Sequence, residues 1–446
     1  MAYRALLVGL INSAQKYLTA ESFNFRVNAS STIMKVKQIW TIEFLKDNSC
    51  LVHIRSSLRR YLASDNNGKV TCDQEAPSAY SNFVMITQAD GKVSFQSDET
   101  KRYLGGAEDN ITCFAQAVSE SEKWVLHLAI HPNINLFSPG KKRYLPQKHI
   151  PDCPAPWDKY GIRTSNGNLI CCNGKLEPGP SSRSLYVLRV RSGLLCLSDG
   201  EGRVLSSREG YVRSLKSDSP SKDELFSPDP SPGQVTIRSL LNAKYISIRS
   251  DGDLQANQTE AKESEIFQII INNTTRKACF QGPKNLLVSL AVLTDNCWFS
   301  LVYNGPRVGI KTSDGKFVTT KSNGQLAPVT LSPGPAQEFI LQLTNRPLLI
   351  LQSDYGFVGF GPGTSRLDGN RCTHEASKLS CDEDGYYQFK LGESRVRMSS
   401  CPACLHLVGS NVLILKAPNG RYMIAQPSGD FKATGEDAKS ATMFLY

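Results

Sequence analysis

The feature that most constrains the fold is a repeat, because four stretches of the chain align with aromatic residues and glycines in the same phase. Each stretch has an aromatic anchor, a glycine seven residues later and a phenylalanine twenty-two residues later. Apolar and polar residues alternate between anchor and glycine, and glycine suits a hairpin turn that needs positive φ. We therefore predict strand, tight turn and strand in each copy, followed by a buried aromatic side chain. The three positions are Tyr61, Gly68 and Phe83; Tyr245, Gly252 and Phe267; Phe317, Gly324 and Phe339; and Tyr422, Gly429 and Phe444.

Weaker copies of this unit fill the intervals between the four. The total is about twelve units of roughly 37 residues, which is the scale of known repeat architectures. Because the well-formed copies recur after three units, we predict an all-β chain of four pseudo-equivalent domains. In each domain, three hairpin units close a small antiparallel barrel and cap it. The weaker copies are anchored at Tyr17, Tyr103, Tyr144, Leu169, Val204, Asn285, Phe357 and near Arg395.

Composition agrees with a folded, multi-core protein. The chain has 446 residues, of which 40% are hydrophobic and 21% charged, so bulk disorder is excluded. An apolar run follows Arg4, but Asn12 and Gln15 interrupt it and no A-x-A cleavage site follows. We therefore predict a buried first strand rather than a signal peptide. No run approaches membrane-spanning length, so we expect no membrane insertion. The expectation of a cytoplasmic protein rests on the scattered cysteines.

Chemistry-bearing motifs are sparse. The thirteen cysteines are an odd, scattered set, which favours reduced, mostly buried thiols. Cys401 and Cys404 form one C-x-x-C with His406 nearby, but a zinc site needs a second ligand pair, for which His374 and Cys381 are the only candidates. Nucleophile-elbow, Walker and H-E-x-x-H motifs are absent from the sequence. We predict a protein that is not an enzyme and holds no metal or cofactor.

The charge balance is basic. Lysine and arginine number 51 against 41 acidic residues, a formal net charge of +10 that favours an acidic partner. Basic pairs stand immediately before anchors, as Lys101 and Arg102 do before Tyr103. The aromatic residues of these units are periodic and hence buried, which disfavours base stacking and a nucleic-acid partner.

Long strings of the sequence carry a resemblance to a known family. KYLTAESFNFRVNASSTIMKVKQIW (16–40) and YLGGAEDNITCFAQAVSESEKW (103–124) resemble the first domain of the fascins. KDELF at 222, DLQANQ at 253, DGKFVTTKSNGQLA at 314 and NRP at 345 continue the match in order. Toward the C-terminus, GSNVLILKAPNGRYM is most similar to a testis-type fascin paralogue.

The resemblance implies four tandem β-trefoils, some with shortened hairpins, at residues 1–131, 132–233, 234–345 and 346–446. It implies a monomer of the cytoskeleton that cross-links actin filaments into parallel bundles in filopodia and similar cell projections. Such a cross-linker needs two separated faces, each lined with Lys and Arg on a rigid body, because filaments are acidic. The positions that match basic family positions, or adjoin them, are Lys16, Lys37, Lys92, Lys101, Arg102, Lys141, Arg143 and Lys321.

The chain also departs from the family pattern. Where the fourth trefoil of family members carries basic residues, this chain has Gln352, Gly361, Pro362 and Ile424. We therefore expect one of the two faces to be weakened. The serine that precedes a lysine run in the family is Ile33 here, so phosphoregulation is not predicted.

Anchor spacing falls to 25 residues after Tyr144, to 32 after Asn285 and to about 26 after Arg395. These spacings predict that roughly one strand pair is missing in trefoils two and four and that one hairpin is shortened in three.

Two alternatives stay open at the level of sequence. One is a fascin-like scaffold that has lost bundling and binds another protein. The other, suggested by fold analogy and positive charge alone, is a trefoil that binds carbohydrate or heparin.

Overall fold

The structure is a computed structural model that forms two compact units, Met1–Asp229 and Pro230–Tyr446. The described residues contain β-strands, turns and short 3-10 helices and no α-helix, which confirms the predicted all-β class. Among them, no helix has the length and apolar character that a membrane span requires. The structure describes residues 4–45, 50–144, 150–152, 159–164, 166–208, 212–217, 220–249, 253–283, 287–288, 297–361, 366–391, 394–395 and 403–446.

The elements are short and follow one another closely along the chain. The strands up to the unit boundary are β1 (Arg4–Ile11), β2 (Tyr17–Ala20), β3 (Val27–Ser31), β4 (Trp40–Phe44), β5 (Leu51–Ser56), β6 (Tyr61–Ser64), β7 (Val70–Gln74), β8 (Phe83–Thr87), β9 (Val93–Ser97), β10 (Tyr103–Ala107), β11 (Asn110–Ala115), β12 (Val125–Leu128), β13 (Ile134–Ser138), β14 (Arg143–Tyr144), β15 (Ile150–Asp152), β16 (Tyr160–Arg163), β17 (Leu169–Ile170), β18 (Leu176–Glu177), β19 (Leu185–Arg191), β20 (Leu194–Ser198), β21 (Val204–Ser206), β22 (Arg213–Leu215) and β23 (Ser227–Pro230).

The second unit repeats this pattern. Its strands are β24 (Gln234–Ser239), β25 (Tyr245–Ile248), β26 (Leu254–Gln258), β27 (Phe267–Ile271), β28 (Ala278–Gln281), β29 (Ser300–Asn304), β30 (Arg307–Lys311), β31 (Phe317–Thr320), β32 (Leu326–Thr330), β33 (Glu338–Leu343), β34 (Leu348–Leu349), β35 (Gln352–Ser353), β36 (Gly356–Phe360), β37 (Leu367–Arg371), β38 (Ser377–Cys381), β39 (Tyr387–Leu391), β40 (Ser394–Arg395), β41 (Cys404–Gly409), β42 (Val412–Lys416), β43 (Tyr422–Ala425), β44 (Phe431–Gly435) and β45 (Phe444–Leu445). In both units, 3-10 helices lie at Val36–Gln38, Ala79–Ser81, Glu120–Glu122, Glu263–Glu265 and Pro335–Gln337.

Six strands at the start of the chain close into a ring. β1 pairs with β4, β4 with β5, β5 with β8 and β8 with β9, all antiparallel. The ring closes because β12 pairs with β1, and because Val93 of β9 bridges Trp124 just before β12. Three hairpins, β2–β3, β6–β7 and β10–β11, extend from alternate connections of the ring. A six-stranded barrel capped by three hairpins is the β-trefoil arrangement, which confirms the predicted fold class.

Two further rings close in the second unit by the same pattern. In one, β24 pairs with β27 and β33, β27 with β28, and β30 with β29 and β33, while a bridge between Ala278 and Phe299 completes the circuit. In the other, β35 pairs with β45, β45 with β42, β42 with β41, and β39 with β38, which pairs with β34. The bridge between Tyr387 and Ala403 joins its two halves.

The repeat signal corresponds to the hairpins that cap these rings. The four strong anchors each begin a strand, and the glycines at 68, 324 and 429 have φ of 75°, 83° and 97°. The four phenylalanines are 0 or 1% exposed. Strand, turn, strand and buried aromatic residue are therefore confirmed for these copies; Gly252 lies outside the described residues.

Some hairpins are short, as predicted. In the region of β13 to β23, β17 and β18 have two residues each, against four and five in β6 and β7. The sheet of β24 to β33 has ten strands within the described residues, whereas the first ring and its caps have twelve. Residues 284–286 and 289–296 of the third repeat lie outside the described part, so the prediction of missing strand pairs in the second and fourth trefoils stays a prediction. The four domain boundaries stay a prediction.

A buried polar side chain stands two residues before the aromatic residue of most units. In the first ring, Glu122 accepts hydrogen bonds from the backbone N–H and hydroxyl of Ser119, at 2.9 and 2.6 Å. This capping box fixes the 3-10 turn that delivers Trp124 into the barrel. Equivalent buried positions are Gln38, Ser81, Ser184, Glu224, Glu265 and Gln337.

At Glu224, the buried carboxylate makes the stability of this turn depend on pH. It is 1% exposed and accepts from the backbone N–H and hydroxyl of Ser221, at 2.8 and 2.6 Å, and from the hydroxyl of Ser206 at 2.9 Å. Burial raises its pKa, but these hydrogen bonds outweigh burial and hold the pKa below the usual 4.5. The ionised carboxylate therefore stabilises the fold above pH 4.5, and this contribution is lost as the pH falls through the lowered native pKa.

We expect Glu224→Gln to lower the free energy of unfolding at pH 7 by about 1–3 kcal/mol. The variant should also lose stability less steeply than the unchanged chain when the pH falls below 4.5. Urea unfolding at neutral and acidic pH measures both effects. Glu99→Gln is the matched control, because it removes one carboxylate from an exposed position of the same unit. Equal pH profiles for Glu224→Gln and the unchanged chain would contradict this account.

Within each unit, a tyrosine hydroxyl ties one ring to the strands that follow it. The hydroxyl of Tyr160 donates to the carbonyl of Leu126 and accepts from the N–H of Leu128, both at 3.0 Å. Tyr387 makes the same pair of bonds in the second unit. Because a buried backbone group without a partner is costly, these bonds hold neighbouring repeats rigidly. In the second unit, the hydroxyl of Tyr387 donates to the carbonyl of Leu341 at 3.1 Å and accepts from the N–H of Leu343 at 2.8 Å.

Candidate functional site

Two of the predicted contact positions, Lys16 and Arg102, occupy equivalent turns before cap hairpins. The carbonyls of Lys16 and Arg102 accept hydrogen bonds from Asn12 and Ser97 at 2.9 and 2.8 Å. The approximate threefold symmetry of the ring relates these turns, so Lys16 and Arg102 lie on different sides of it rather than in one patch. The residue before the cation has left-handed backbone in each turn, including the third, with φ of 59° at Gln15, Arg59 and Lys101.

Lys37 lies on the 3-10 turn that leads into β4. Gln38 fixes this turn, because its side chain accepts from the N–H of Lys35 at 3.0 Å and donates to the hydroxyl of Thr19 at 3.0 Å. The ammonium group of Lys37 is 2.7 Å from Glu21, and its hydrogen bond lowers the pKa of that carboxyl. Half of the Lys37 side chain is exposed. The turn thus presents a cation on a rigid support, but with an acid beside it.

Lys92 belongs to a network of two lysines and two acids. Its ammonium group is 3.0 Å from Glu120 and 3.7 Å from Asp90, and Lys123 contacts the same two carboxylates. Hydrogen bonds from Lys123 and Lys92 lower the pKa of Glu120 to about 2. The charge of Lys92 is therefore balanced locally.

Lys101, Arg102 and Lys141 also have partners close by. Lys101 lies 2.7 Å from Asp98, and Lys141 lies 3.6 Å from Asp223. The guanidinium of Arg102 stacks over the ring of Phe114, 4.6 Å from its centroid. Four of the predicted lysines are thus engaged by acids of their own surface.

Lys16 and Lys321 differ from those four. No acidic side chain of the described residues lies in ion-pair range of either, and Lys321 is exposed in the turn between β31 and β32. Arg143 begins β14, and its side chain lies outside the described residues. Exposed ion pairs contribute about 0–1 kcal/mol, so an acidic partner can displace the paired acids at little cost. The predicted residues can therefore still bind an acidic polymer, although they form no single basic patch.

The fold reveals a basic feature that the sequence interpretation missed. Lys378 of β38 and Lys390 of β39 are directly opposite each other, and both are exposed. Neither has an acidic partner in the part of the chain that the structure describes. Like charges directly opposite each other in a sheet are destabilising, so such a pair is a candidate for function. The only sequence signal is strand alternation, and the register that brings the two together cannot be read from it.

The substituted positions of the fourth repeat offer no positive charge. Gln352 and Ile424 are half-buried, and Asp354 and Tyr355 are exposed. Pro362 lies outside the described residues. A basic contact in this region would therefore have to use other residues, for which the opposed pair Lys378 and Lys390 is a candidate.

The C-x-x-C segment gives no sign of a metal centre in the part that is described. Cys401 lies outside that part, and Cys404 is a buried free thiol whose pKa is raised by burial. His406 contacts the carbonyl of Gly305 at 2.8 Å and stacks on Tyr303, with ring centroids 4.1 Å apart. Burial lowers its pKa to about 4, so it is a neutral core residue. No group of three potential metal ligands occurs among the described side chains.

Comparison with known proteins gives a consistent relationship. Residues 14–126 match the Fascin domain family. Fascin-2 of Mus musculus is 35% identical over 412 residues, covering 86% of this chain and 83% of that protein. Fascin-2 of Homo sapiens is 33% identical over 480 residues, covering 98% and 97%. Fascin-3 of Mus musculus is 24% identical over 475 residues, covering 97% and 95%.

The predicted resemblance to this family is therefore confirmed, while the finer resemblance of the C-terminal part to a testis-type paralogue stays a prediction. One third identity sustained over most of both chains, together with a capped six-stranded ring at the matched residues, indicates common descent. The chain belongs to the fascin family.

Proposed function

We propose that this protein cross-links actin filaments into parallel bundles, as a cytoplasmic monomer of the cytoskeleton in filopodia and similar cell projections. Family membership carries the proposal, and it needs no catalytic chemistry. Two lysines without acidic partners among the described residues support it: Lys16 in the first unit, which is half-buried, and Lys321 in the second, which is exposed.

The mechanism follows from charge and rigidity. Filaments are acidic, so several weak ion pairs held on a rigid body give a reversible contact that salt weakens. A monomer can cross-link only if it offers two such contacts. We assign one to the first unit, through the predicted residues at 16, 37, 92, 101, 102, 141 and 143. The other belongs to the second unit, through Lys321, Lys378 and Lys390.

Co-sedimentation with purified actin filaments tests the proposal. Bundles pellet at low centrifugal speed, whereas single filaments and proteins bound to them pellet only at high speed. We expect pelleting at both speeds, decreasing as salt is added. Pelleting at neither speed would eliminate filament binding.

Charge reversal at the second contact should separate binding from bundling. We expect Lys378→Glu combined with Lys390→Glu to pellet with filaments at high speed but to lose low-speed pelleting. The reason is that the first contact remains and the second becomes acidic. Stability should change little, because one pair of like charges replaces another at the opposed positions of β38 and β39.

The matched control for this variant is Lys277→Glu combined with Lys432→Glu, which reverses two other lysines of the same unit. This control should bundle filaments normally. Bundling by the Lys378 and Lys390 double variant at the level of the unchanged chain would remove these residues from the proposed contact.

A scaffold that has lost bundling is the second candidate. Two observations favour it: four predicted lysines have acidic neighbours, and the fourth-repeat positions are uncharged. High-speed pelleting without low-speed pelleting by the unchanged chain would support it over the first candidate.

A further inference from the structure

The cap end of the first ring carries a depression whose lining contains none of the residues assigned to filament contact. It has a volume of about 790 Å³, in the range of ligand pockets. Its lining includes one buried aliphatic residue from each of the three cap hairpins, Val27, Val70 and Ile111, which are 6 to 9% exposed. The approximate threefold symmetry therefore gives the depression an apolar centre.

Direct hydrogen bonds between the hairpins hold the depression in shape. The N–H of Cys72 donates to the carbonyl of Phe25 at 3.2 Å, and that of Cys113 donates to Gly68 at 2.9 Å. The N–H of Ala29 donates to Glu108 at 2.7 Å, which joins the first hairpin to the third. A preformed site loses little conformational freedom on binding.

Two phenylalanines stand at the wall, each with a guanidinium over one face. Arg60 lies 4.8 Å from the ring centroid of Phe25, and Arg102 lies 4.6 Å from that of Phe114. Phe25 has φ of 48°, which is strained for a bulky residue and persists only where neighbours hold it. Phe114 is 61% exposed. The two rings thus give the wall accessible apolar surface beside its polar and charged residues.

The charges of the lining balance. Its ionisable residues are Arg26, Lys69, Asp73 and Asp109, two cations and two anions. Arg26 and Asp109 form an exposed pair at 3.7 Å. In a chain with a formal net charge of +10, this surface gives no electrostatic preference for an acidic polymer. Its occupant should carry little net charge.

An apolar side chain fits these features better than a sugar. Sugar rings stack on open, flat aromatic faces, whereas Phe25 and Phe114 each have one face covered by a guanidinium. The centre is instead made of branched aliphatic groups, which pack well against Leu, Ile, Met or Phe. A bulky apolar anchor in a rigid central pocket with a polar rim is the usual form of a binding hot spot.

We infer that this depression is a docking site for another protein, through a segment of low net charge that inserts one bulky apolar side chain between Val27, Val70 and Ile111. The site lies apart from the assigned filament contacts except at Arg102, whose guanidinium covers the outer side of Phe114. The inference does not depend on filament binding.

A library of displayed random peptides of about eight residues, selected on the full-length protein, tests this. We expect the selected peptides to share one Leu, Ile, Met or Phe and to carry little net charge. The strongest of them, made synthetically, should protect the backbone amides of residues 24–27, 67–71 and 109–114 from hydrogen exchange. Selection of strongly acidic or basic peptides, or protection confined to other segments, would overturn the inference.

Thr112→Trp should fill the depression, because Thr112 lines it and is half-buried. We expect at least about tenfold weaker peptide binding. Asn67→Trp, at an exposed rim position, is the second variant if the first does not fold. Thr275→Trp, exposed in a turn of the second unit, is the control and should bind peptide normally.

Filament pelleting by Thr112→Trp should equal that of the unchanged chain, which keeps this test separate from the proposed function. Equal peptide binding by Thr112→Trp and Thr275→Trp would overturn the docking site. Displacement of the peptide by maltose or N-acetylglucosamine would also overturn it, in favour of a sugar site.

Discussion

Lys16→Glu combined with Lys37→Glu is expected to abolish co-sedimentation with actin filaments while leaving thermal unfolding nearly unchanged. The substitutions place two anions on the first filament contact, which we expect to carry most of the binding because it holds seven of the ten assigned basic residues. Lys37 is half exposed and pairs with Glu21 at 2.7 Å, and an exposed pair of this kind contributes about 0–1 kcal/mol. High-speed pelleting measures the binding, and circular dichroism on heating measures the stability.

The control for this prediction must separate position from net charge. Lys175→Glu combined with Lys216→Glu reverses two other exposed lysines of the same unit and changes the net charge equally. It should pellet with filaments as the unchanged chain does. Unaltered pelleting of the Lys16 and Lys37 variant would remove the first contact. Equal loss in both variants would mean that total charge, and not these positions, governs binding.

The fold could be predicted from the sequence because the repeated positions are those that burial and turn geometry require. An anchor begins each strong cap hairpin, Gly68, Gly324 and Gly429 supply positive φ, and Phe83 and its equivalents fill the barrels. Each of these requirements concerns residues within one hairpin unit and its ring strand. Such local requirements leave a readable pattern in the sequence.

Contacts between residues that are far apart in the sequence could not be predicted as well. Tyr160 bonds to Leu126 and Leu128, in a different ring strand, and nothing in the local sequence indicates that contact. The capping boxes are an exception, since the motif Ser119-x-x-Glu122 was visible and its importance was missed.

The candidate site was the least predictable part for the same reason. Basic residues could be identified, but some of the acids that neutralise them lie far away in sequence: Lys92 pairs with Glu120, and Lys141 with Asp223. The opposed lysines at 378 and 390 become visible only when the register of β38 and β39 is known. Family resemblance supplied the positions, whereas the electrostatic balance at each one required the fold.

The second large effect is expected from Trp124→Ala in the core of the first ring. Trp124 is fully buried, and its indole N–H donates to the carbonyl of Leu104 at 3.1 Å. Its removal leaves a cavity and an unpaired buried carbonyl, so we expect the free energy of unfolding to fall by about 3–5 kcal/mol. Urea unfolding followed by circular dichroism measures this loss.

Trp124→Phe is the matched variant, because Phe83 occupies the equivalent position in the same ring and is also fully buried. A phenyl ring fills most of the space, so this variant should lose clearly less stability than Trp124→Ala. Hydrogen exchange should show faster opening of β9, β10 and β12 in Trp124→Ala and unchanged protection of β24 and β33 in the second unit. Equal losses of unfolding free energy for the two variants would show that filling the barrel centre is not what stabilises the ring. Faster hydrogen exchange in the second unit would show that its core does not open independently of the core of the first unit.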